Sequence, residues 1–229
     1  MPRTRSLRVE PLEDRLAPAA GDLDPTFGIA GIERFTSGKV AQLAVVPDGR
    51  ILALVNSGTN SLALERFGPD GAPDTTFGTG GVAALPGVTG VTGSHPTLTA
   101  LPDGGAFVGR TVPDDLGSPV GFALVRVTAA GGIDPTFGTG GTALVPTQSA
   151  PDFDSLNLSA VVAQPDGRVL LAGDATPNPI IVGQPPRYYH LVVARLTAAG
   201  QLDSSFGSGG TAVLTDPTGH FTSLNAGGV

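Results

Sequence analysis

The side chains that could carry chemistry are few, and they gather in a small part of the chain. All three histidines (His95, His190 and His220) and both tyrosines (Tyr188 and Tyr189) lie in or beside stretches rich in Pro, Gly and Thr. Arg187, the pair Asp114 and Asp115, and the pair Asp152 and Asp154 share those stretches. Two carboxylates held about 5 to 10 Å apart across a concave pocket would suit glycoside hydrolysis, with a histidine beside them. Aromatic and arginine side chains on long loops suit contact with a partner. No string that specifies a reaction is present: there is no HExxH, GxSxG, Walker loop or EF-hand, and the aspartate pairs are too short to define a metal site. No catalytic residue, metal or cofactor is therefore assigned. The absence of cysteine excludes thiol nucleophiles, Cys-ligated zinc and disulfide scaffolds.

What must position these residues is a repeat. The string Asp134-Pro135-Thr136-Phe137-Gly138, closed by further glycines, recurs around Phe27, Phe77 and Phe206. Successive phenylalanines are 50, 60 and 69 residues apart. An arginine stands eleven residues before each of the last three, at Arg66, Arg126 and Arg195. The marker aspartates Asp74, Asp134 and Asp203 follow those arginines by eight residues. By the alternation of a strand, each arginine shares a face with two apolar residues and needs a partner, so Arg66–Asp74, Arg126–Asp134 and Arg195–Asp203 pairs are expected. In each marker the aspartate can accept a bond from the backbone two residues on, and a proline often presets φ, which predicts a type I turn. The four phenylalanines are expected as core anchors, and the arginines and aspartates as structural pairs.

Between the markers run short apolar stretches separated by turn residues. The expected strands are Gly31–Phe35, Val40–Val46, Arg50–Val55 and Ser61–Phe67, then Gly81–Leu85, Thr97–Leu101, Gly105–Thr111 and Val120–Val127, then Gly141–Val145, Leu158–Gln164, Arg168–Gly173 and Tyr189–Leu196. A Pro-Asp-Gly turn at Asp48, Asp103 and Asp166 joins the second and third strands of each repeat, and two-residue hairpins are expected there. Sustained helical periodicity is missing. Four antiparallel strands per repeat predict an all-β, β-propeller-like array of about three and a half blades, incomplete or open. The blades are placed at 31–67, 81–127 and 141–196, with a partial one at 210–229, in a domain spanning 21–229. Residues 1–20 are expected as a loosely ordered leader.

The repeats resemble the delta-60 family of bacterial repeats, through the LDxxFGxxG-like marker, the Pro-Asp-Gly turn and the arginine strand recurring in order. That resemblance implies propeller blades and no assigned chemistry. Residues Arg8 to Leu16, reading RVEPLEDRL, resemble the LEPR-type N-terminal sorting segment of bacterial surface proteins, which implies secretion or display at the cell surface. The net charge is −7, and four of the 13 basic residues lie in the first fifteen positions. An acidic body without basic clusters argues against nucleic acid, and no apolar run is long enough for a membrane helix.

Strand directions alternate, so the stretches of variable length leave one edge of the array and the constant turns leave the other. The leading expectation is a non-enzymatic binding or scaffold module that offers its variable edge to a protein, glycan or cell-wall partner. Its candidate contacts are His95, Asp114, Asp115, Asp152, Asp154, Arg187, Tyr188, Tyr189, His190 and His220. The alternatives are a propeller-type carbohydrate-active hydrolase or lyase, and a non-functional fragment of a longer repeat protein. Further repeats or an oligomer partner are expected to be needed for closure.

Overall fold

Alternating apolar residues between fixed turns leave the backbone one economical way to satisfy its hydrogen bonds, which is to fold back on itself strand by strand. The computed structural model describes residues 21–34, 38–56, 61–85, 96–113, 119–146, 153–177 and 190–215. These form twelve strands and no helix. Sheet one contains β1 (Lys39–Val45), β2 (Ile51–Asn56), β3 (Leu62–Phe67) and β4 (Val82–Leu85). Sheet two contains β5 (Thr97–Ala100), β6 (Ala106–Pro113), β7 (Pro119–Val127) and β8 (Thr142–Pro146). Sheet three contains β9 (Phe153–Ala163), β10 (Val169–Pro177), β11 (His190–Leu196) and β12 (Thr211–Thr215). Every neighbouring pair within a sheet is antiparallel. The fold is an all-β, open, propeller-like array of four-stranded blades.

The sheets are phased one strand later than the repeat read from the sequence. The segment after each marker was expected to open a new blade. Instead, β4, β8 and β12 pair with the arginine strand before the marker and close the blade already begun. The outer strand is thus the fourth strand of one sheet, and the sheets span 39–85, 97–146 and 153–215. The same phasing explains why residues 31–34 form no ladder: Ile32 makes only isolated bridges with Gly28 and Ile29. Its counterparts in β4, β8 and β12 each have an arginine strand to pair with, and among the described residues no such strand precedes it. Residues 210–215 accordingly complete sheet three, and the rest of the expected partial blade lies outside the described residues.

The Pro-Asp-Gly hairpins have three-residue loops in place of the two-residue loops expected. Gly49 N–H donates to Val46 O at 2.9 Å and Val46 N–H to Arg50 O at 2.9 Å, with Gly49 at φ 86°. Proline therefore takes the second position of a type I turn, aspartate the third, and glycine the left-handed position that follows. The turns at 101–105 and 164–168 repeat this pattern. Asp48, Asp103 and Asp166 each accept a bond from the backbone N–H two residues on, at 3.1, 2.9 and 3.0 Å.

Apolar residues from adjacent sheets interlock. Leu52, Leu54, Leu62, Leu64 and Phe77 of sheet one meet Leu98, Val108 and Val125 of sheet two. Phe107, Phe122, Leu124 and Phe137 of sheet two meet Leu158, Leu171, Val192 and Leu196 of sheet three. A smaller cluster of Ala53, Val55 and Phe67 lies on the other side of sheet one. The first strands β1, β5 and β9 lie beside one another. Polar side chains stitch them together: Leu98 N–H donates to Gln42 Oε1 at 2.6 Å, and Thr99 Oγ1 to Val161 O at 2.7 Å.

Candidate binding edge

The two edges of the array are built differently. On one edge lie the β1–β2, β5–β6 and β9–β10 connections, five residues each, and the β3–β4, β7–β8 and β11–β12 connections, fourteen residues each. On the opposite edge the connections differ: β2–β3 and β6–β7 have five residues, β10–β11 twelve, β4–β5 eleven and β8–β9 six. A fixed length is what a packed joint requires, and the hydrogen bonds of the constant edge show such a joint.

In each marker the aspartate closes its own turn. Phe137 N–H donates to Asp134 O at 3.2 Å, while Thr136 donates to Asp134 Oδ1 from both its backbone N–H and its hydroxyl, at 3.0 and 2.6 Å. Thr76 on Asp74 and Ser205 on Asp203 repeat the arrangement. The second carboxylate oxygen faces arginine. Arg66 Nε and Arg195 Nε donate to Asp74 Oδ2 and Asp203 Oδ2, both at 2.8 Å. Arg126 Nε stands 3.4 Å from Asp134 Oδ2 and turns Nη2 toward Asp103 Oδ2 at 3.1 Å. The Arg66 side chain is 3% exposed, that of Arg126 30%.

Two arginines that sequence reasoning passed over belong to this network. Arg50 bonds Asp48 and reaches Asp74 Oδ2 at 3.3 Å; Arg168 bonds Asp166 and stands 3.1 Å from Asp203 Oδ2. Both directly follow a Pro-Asp-Gly turn, and that recurrence was the available signal; Gly105 occupies the position in sheet two. The donors hold the carboxylates ionised. The Thr76 hydroxyl, then its backbone N–H and the arginines, outweigh burial and hold Asp74 at about 2. Asp24, Asp134 and Asp203 are lowered chiefly by the Thr26, Thr136 and Ser205 side chains, Asp48 by the Arg50 side chain and Asp166 by the Arg168 backbone N–H. A carboxylate tied down in this way is poorly suited to deliver a proton near neutral pH.

The phenylalanines are not equally placed. Phe77 and Phe137 are 0% and 1% exposed, whereas Phe27 and Phe206 are only partly buried. The interior pair each have a sheet on both sides.

On the variable edge, His190 opens β11 and pairs in register with Ala175 and Thr215. It is partly buried, and that burial lowers its pKa. Asp154 lies in β9. His95, Asp114, Asp115, Asp152, Arg187, Tyr188, Tyr189 and His220 lie outside the described residues. The strand ends bordering all of them fall on this one edge. Among the described residues, no three His, Asp or Glu side chains are grouped to hold a metal ion, and no helix is long and apolar enough to cross a membrane. A groove of about 380 Å³ at the seam between sheets two and three is lined by Gly138, Thr139, Leu144, Gly200, Gln201 and Leu202, with no ionisable side chain among its lining residues.

No curated protein matches the chain. Residues 47–77 and 164–206 match the model of a family described as "Domain of unknown function (DUF5122) beta-propeller". The first stretch begins at the Pro-Asp-Gly turn and the second one residue before it, and each ends at the marker phenylalanine, so each match covers the arginine strand and the turn network around it. Sheets and matched stretches agree on a propeller-like repeat protein.

Proposed function

We propose that this chain is a non-enzymatic binding or scaffold module of delta-60-type repeats, exported by a bacterium through its LEPR-like segment at residues 8–16 and presenting its variable edge to a protein, glycan or cell-wall partner. The observation that carries the reading is the division between the edges. Every connection of fixed length, with its aspartates bonded to turn N–H groups and arginines, falls on one edge. Every connection free to vary falls on the other, next to the tyrosines and histidines. Binding repeat proteins divide their surface in the same manner, with rigid joints on one side and adaptable contacts on the other.

The test is a triple replacement of Tyr188, Tyr189 and His190 by alanine in the full chain. Glycan arrays and pull-downs from bacterial cell-wall preparations should lose their signal while the circular dichroism spectrum is unchanged. An unchanged binding signal would refute the assignment of this edge. Turnover of a polysaccharide by the unmodified chain would favour the hydrolase or lyase alternative.

A further inference from the structure

Each of the first three markers plugs into a turn of the sheet that follows it. Gly28 N–H donates to Asp70 O at 2.7 Å, Gly78 N–H to Ala130 O at 2.8 Å and Gly138 N–H to Ala199 O at 2.8 Å. The receiving turns, Gly68–Ala72, Thr128–Gly132 and Thr197–Gln201, are all three-residue loops closed like the hairpins. Each has a left-handed glycine under the incoming ring: a Cβ on Gly71, Gly131 or Gly200 would come within 3.1, 3.2 and 3.0 Å of Phe27, Phe77 and Phe137. At the joint between sheets one and two an arginine clamps the plug. Arg66 donates from Nε to Asp74 Oδ2 at 2.8 Å and from Nη1 to Ala129 O of the receiving turn at 2.6 Å, and its guanidinium lies 4.4 Å from the Phe77 ring centre. It is available for that task because the hairpin aspartate Asp48 has a partner of its own in Arg50.

The joint between sheets two and three has the same plug and a different use of the arginine. Gly105 stands where Arg50 and Arg168 stand in the other sheets, so Asp103 has no arginine on its own hairpin. Arg126 serves it instead. Its Nη2 donates to Asp103 Oδ2 at 3.1 Å, its Nε is left 3.4 Å from Asp134 Oδ2, and no bond from Arg126 reaches sheet three among the described residues. The Arg126 side chain is accordingly 30% exposed, against 3% for Arg66. The marker ring is flanked from its own sheet: Phe107 pairs in register with Arg126, as Leu52 does with Arg66, and the Phe107 and Phe137 ring centres are 5.2 Å apart.

We propose that Arg126 is a two-position clamp on the joint between sheets two and three, held off the joint by Asp103. Turned outward it serves the hairpin aspartate; turned inward it closes on Asp134 and on the carbonyl of Ala198, the counterpart of Ala129. Because Nε already stands beside Asp134, the exchange needs a turn of the guanidinium and no movement of the strand. The two positions differ little in free energy. Outward, the partner carboxylate is 52% exposed, and a charge pair at such a site is screened by water and contributes little. Inward, the guanidinium gives up water and gains charge-assisted bonds to two acceptors, one of them in the neighbouring sheet. The Phe107–Phe137 ring pair contributes in both cases, so the joint holds with the arginine in either position. An equilibrium balanced in this way is biased by whatever occupies Asp103, and a cationic group held there shifts the arginine inward. Sheet one has no such competition, because Arg50 leaves Arg66 to the joint.

Amide exchange at Gly138, whose N–H is buried in the plug's bond to Ala199 O, reads the clamp in the full chain. Asp103→Asn keeps an oxygen for the Gly105 N–H that Asp103 Oδ1 accepts at 2.9 Å, and removes the charge that draws Arg126 outward. The change should slow Gly138 exchange on the order of tenfold, about the net worth of one hydrogen bond from a charged group. An ordinary stabilising salt bridge gives the opposite sign, so exchange at Gly138 that is unchanged or faster in Asp103→Asn overturns the proposal. Asp48→Asn is the matching change in sheet one and should leave Gly78 exchange within about twofold, since Arg66 is already on its joint. A slowing at Gly78 equal to that at Gly138 overturns the proposal as well. The effect must also pass through the arginine. In an Arg126→Met background Asp103→Asn should leave Gly138 exchange where it was, and a slowing that persists there counts against the clamp. If Asp103→Asn lacks the circular dichroism of the unaltered chain, Asp103→Ser, whose hydroxyl can accept the same turn bond, takes its place with the same expected slowing and the same refuting results.

Discussion

Replacing the four marker phenylalanines one at a time by alanine should give graded losses of stability that follow the number of sheets each ring touches. Phe77 is fully enclosed: its ring has Gly131 of the next sheet on one side and the Arg66 guanidinium 4.4 Å away. Phe137 is enclosed as well, with the Phe107 ring centre at 5.2 Å. Cutting a buried phenylalanine to alanine costs about 3 to 5 kcal/mol, from lost transfer free energy and the cavity left behind. For Phe137, loss of the aromatic pair contributes about 0.5 to 1.5 kcal/mol of that. Phe206 buries only part of its ring, and a partial loss of apolar burial gives about 1 to 2 kcal/mol. Urea titrations followed by circular dichroism would read the differences as midpoint shifts at constant slope. In melting temperature, for a chain of this size, Phe77→Ala and Phe137→Ala should lose roughly 6 to 20 °C and Phe206→Ala a few degrees. In a repeat array stability is carried by the joints between neighbours, so the joint is the unit being measured. Equal losses at Phe77 and Phe206, or a loss under about 1 kcal/mol at Phe77, would refute the reading of the marker as a plug.

Three further outcomes follow from the same geometry. Asp74→Ala leaves the buried Arg66 guanidinium without its carboxylate and should cost about 3 to 5 kcal/mol by denaturant midpoint, whereas Asp134→Ala faces the more exposed Arg126 and should cost about 1 kcal/mol or less. Asp74 is depressed from 3.8 to about 2, so its contribution is present above the unfolded value and disappears as pH falls through about 2; Asp74→Asn should flatten the loss of stability between pH 4 and 2 seen in acid titrations of the unaltered chain. Gly131→Ala should destabilise by more than Gly140→Ala in thermal melts: both glycines have positive φ, but a Cβ at 131 would sit 2.5 Å from Gly78 N and one at 140 meets nothing within 4 Å.

Local chemistry was legible wherever one turn or one strand decided it. The Pro-Asp-Gly turns, the type I turn of the marker and the alternation that puts Arg66 beside Leu62 and Leu64 are all set within a few residues. The loop length of the hairpins was not legible in the same way, because Asp-Gly suits both a two-residue turn with two positive φ angles and a three-residue loop with one. Here Gly49, Gly104 and Gly167 take the positive φ and the aspartates do not. The phase of the blades was illegible for a different reason. A periodic sequence can be cut at any point, and the conspicuous marker suggests a boundary, but hydrogen bonding joins β4 to β3 across it. Burial of the phenylalanines depends on the next sheet and not on the marker itself, so Phe77 and Phe206 look alike in sequence and differ in place. Arg50 and Arg168 were overlooked because they recur in only two of three repeats. Of the candidate contacts, only His190 and Asp154 fall in described strands. The others lie outside the described residues.

Amide hydrogen exchange resolved by residue tests the central claim most directly, namely that the blades are joined by markers plugged into the turns of the following sheet. In dilute solution the N–H groups of Gly78 and Gly138, bonded to Ala130 and Ala199, should exchange only with opening of the blade joint, and that of Gly207 should exchange at the rate of an exposed loop. Equal exchange at Gly78, Gly138 and Gly207, whether all fast or all slow, would contradict it.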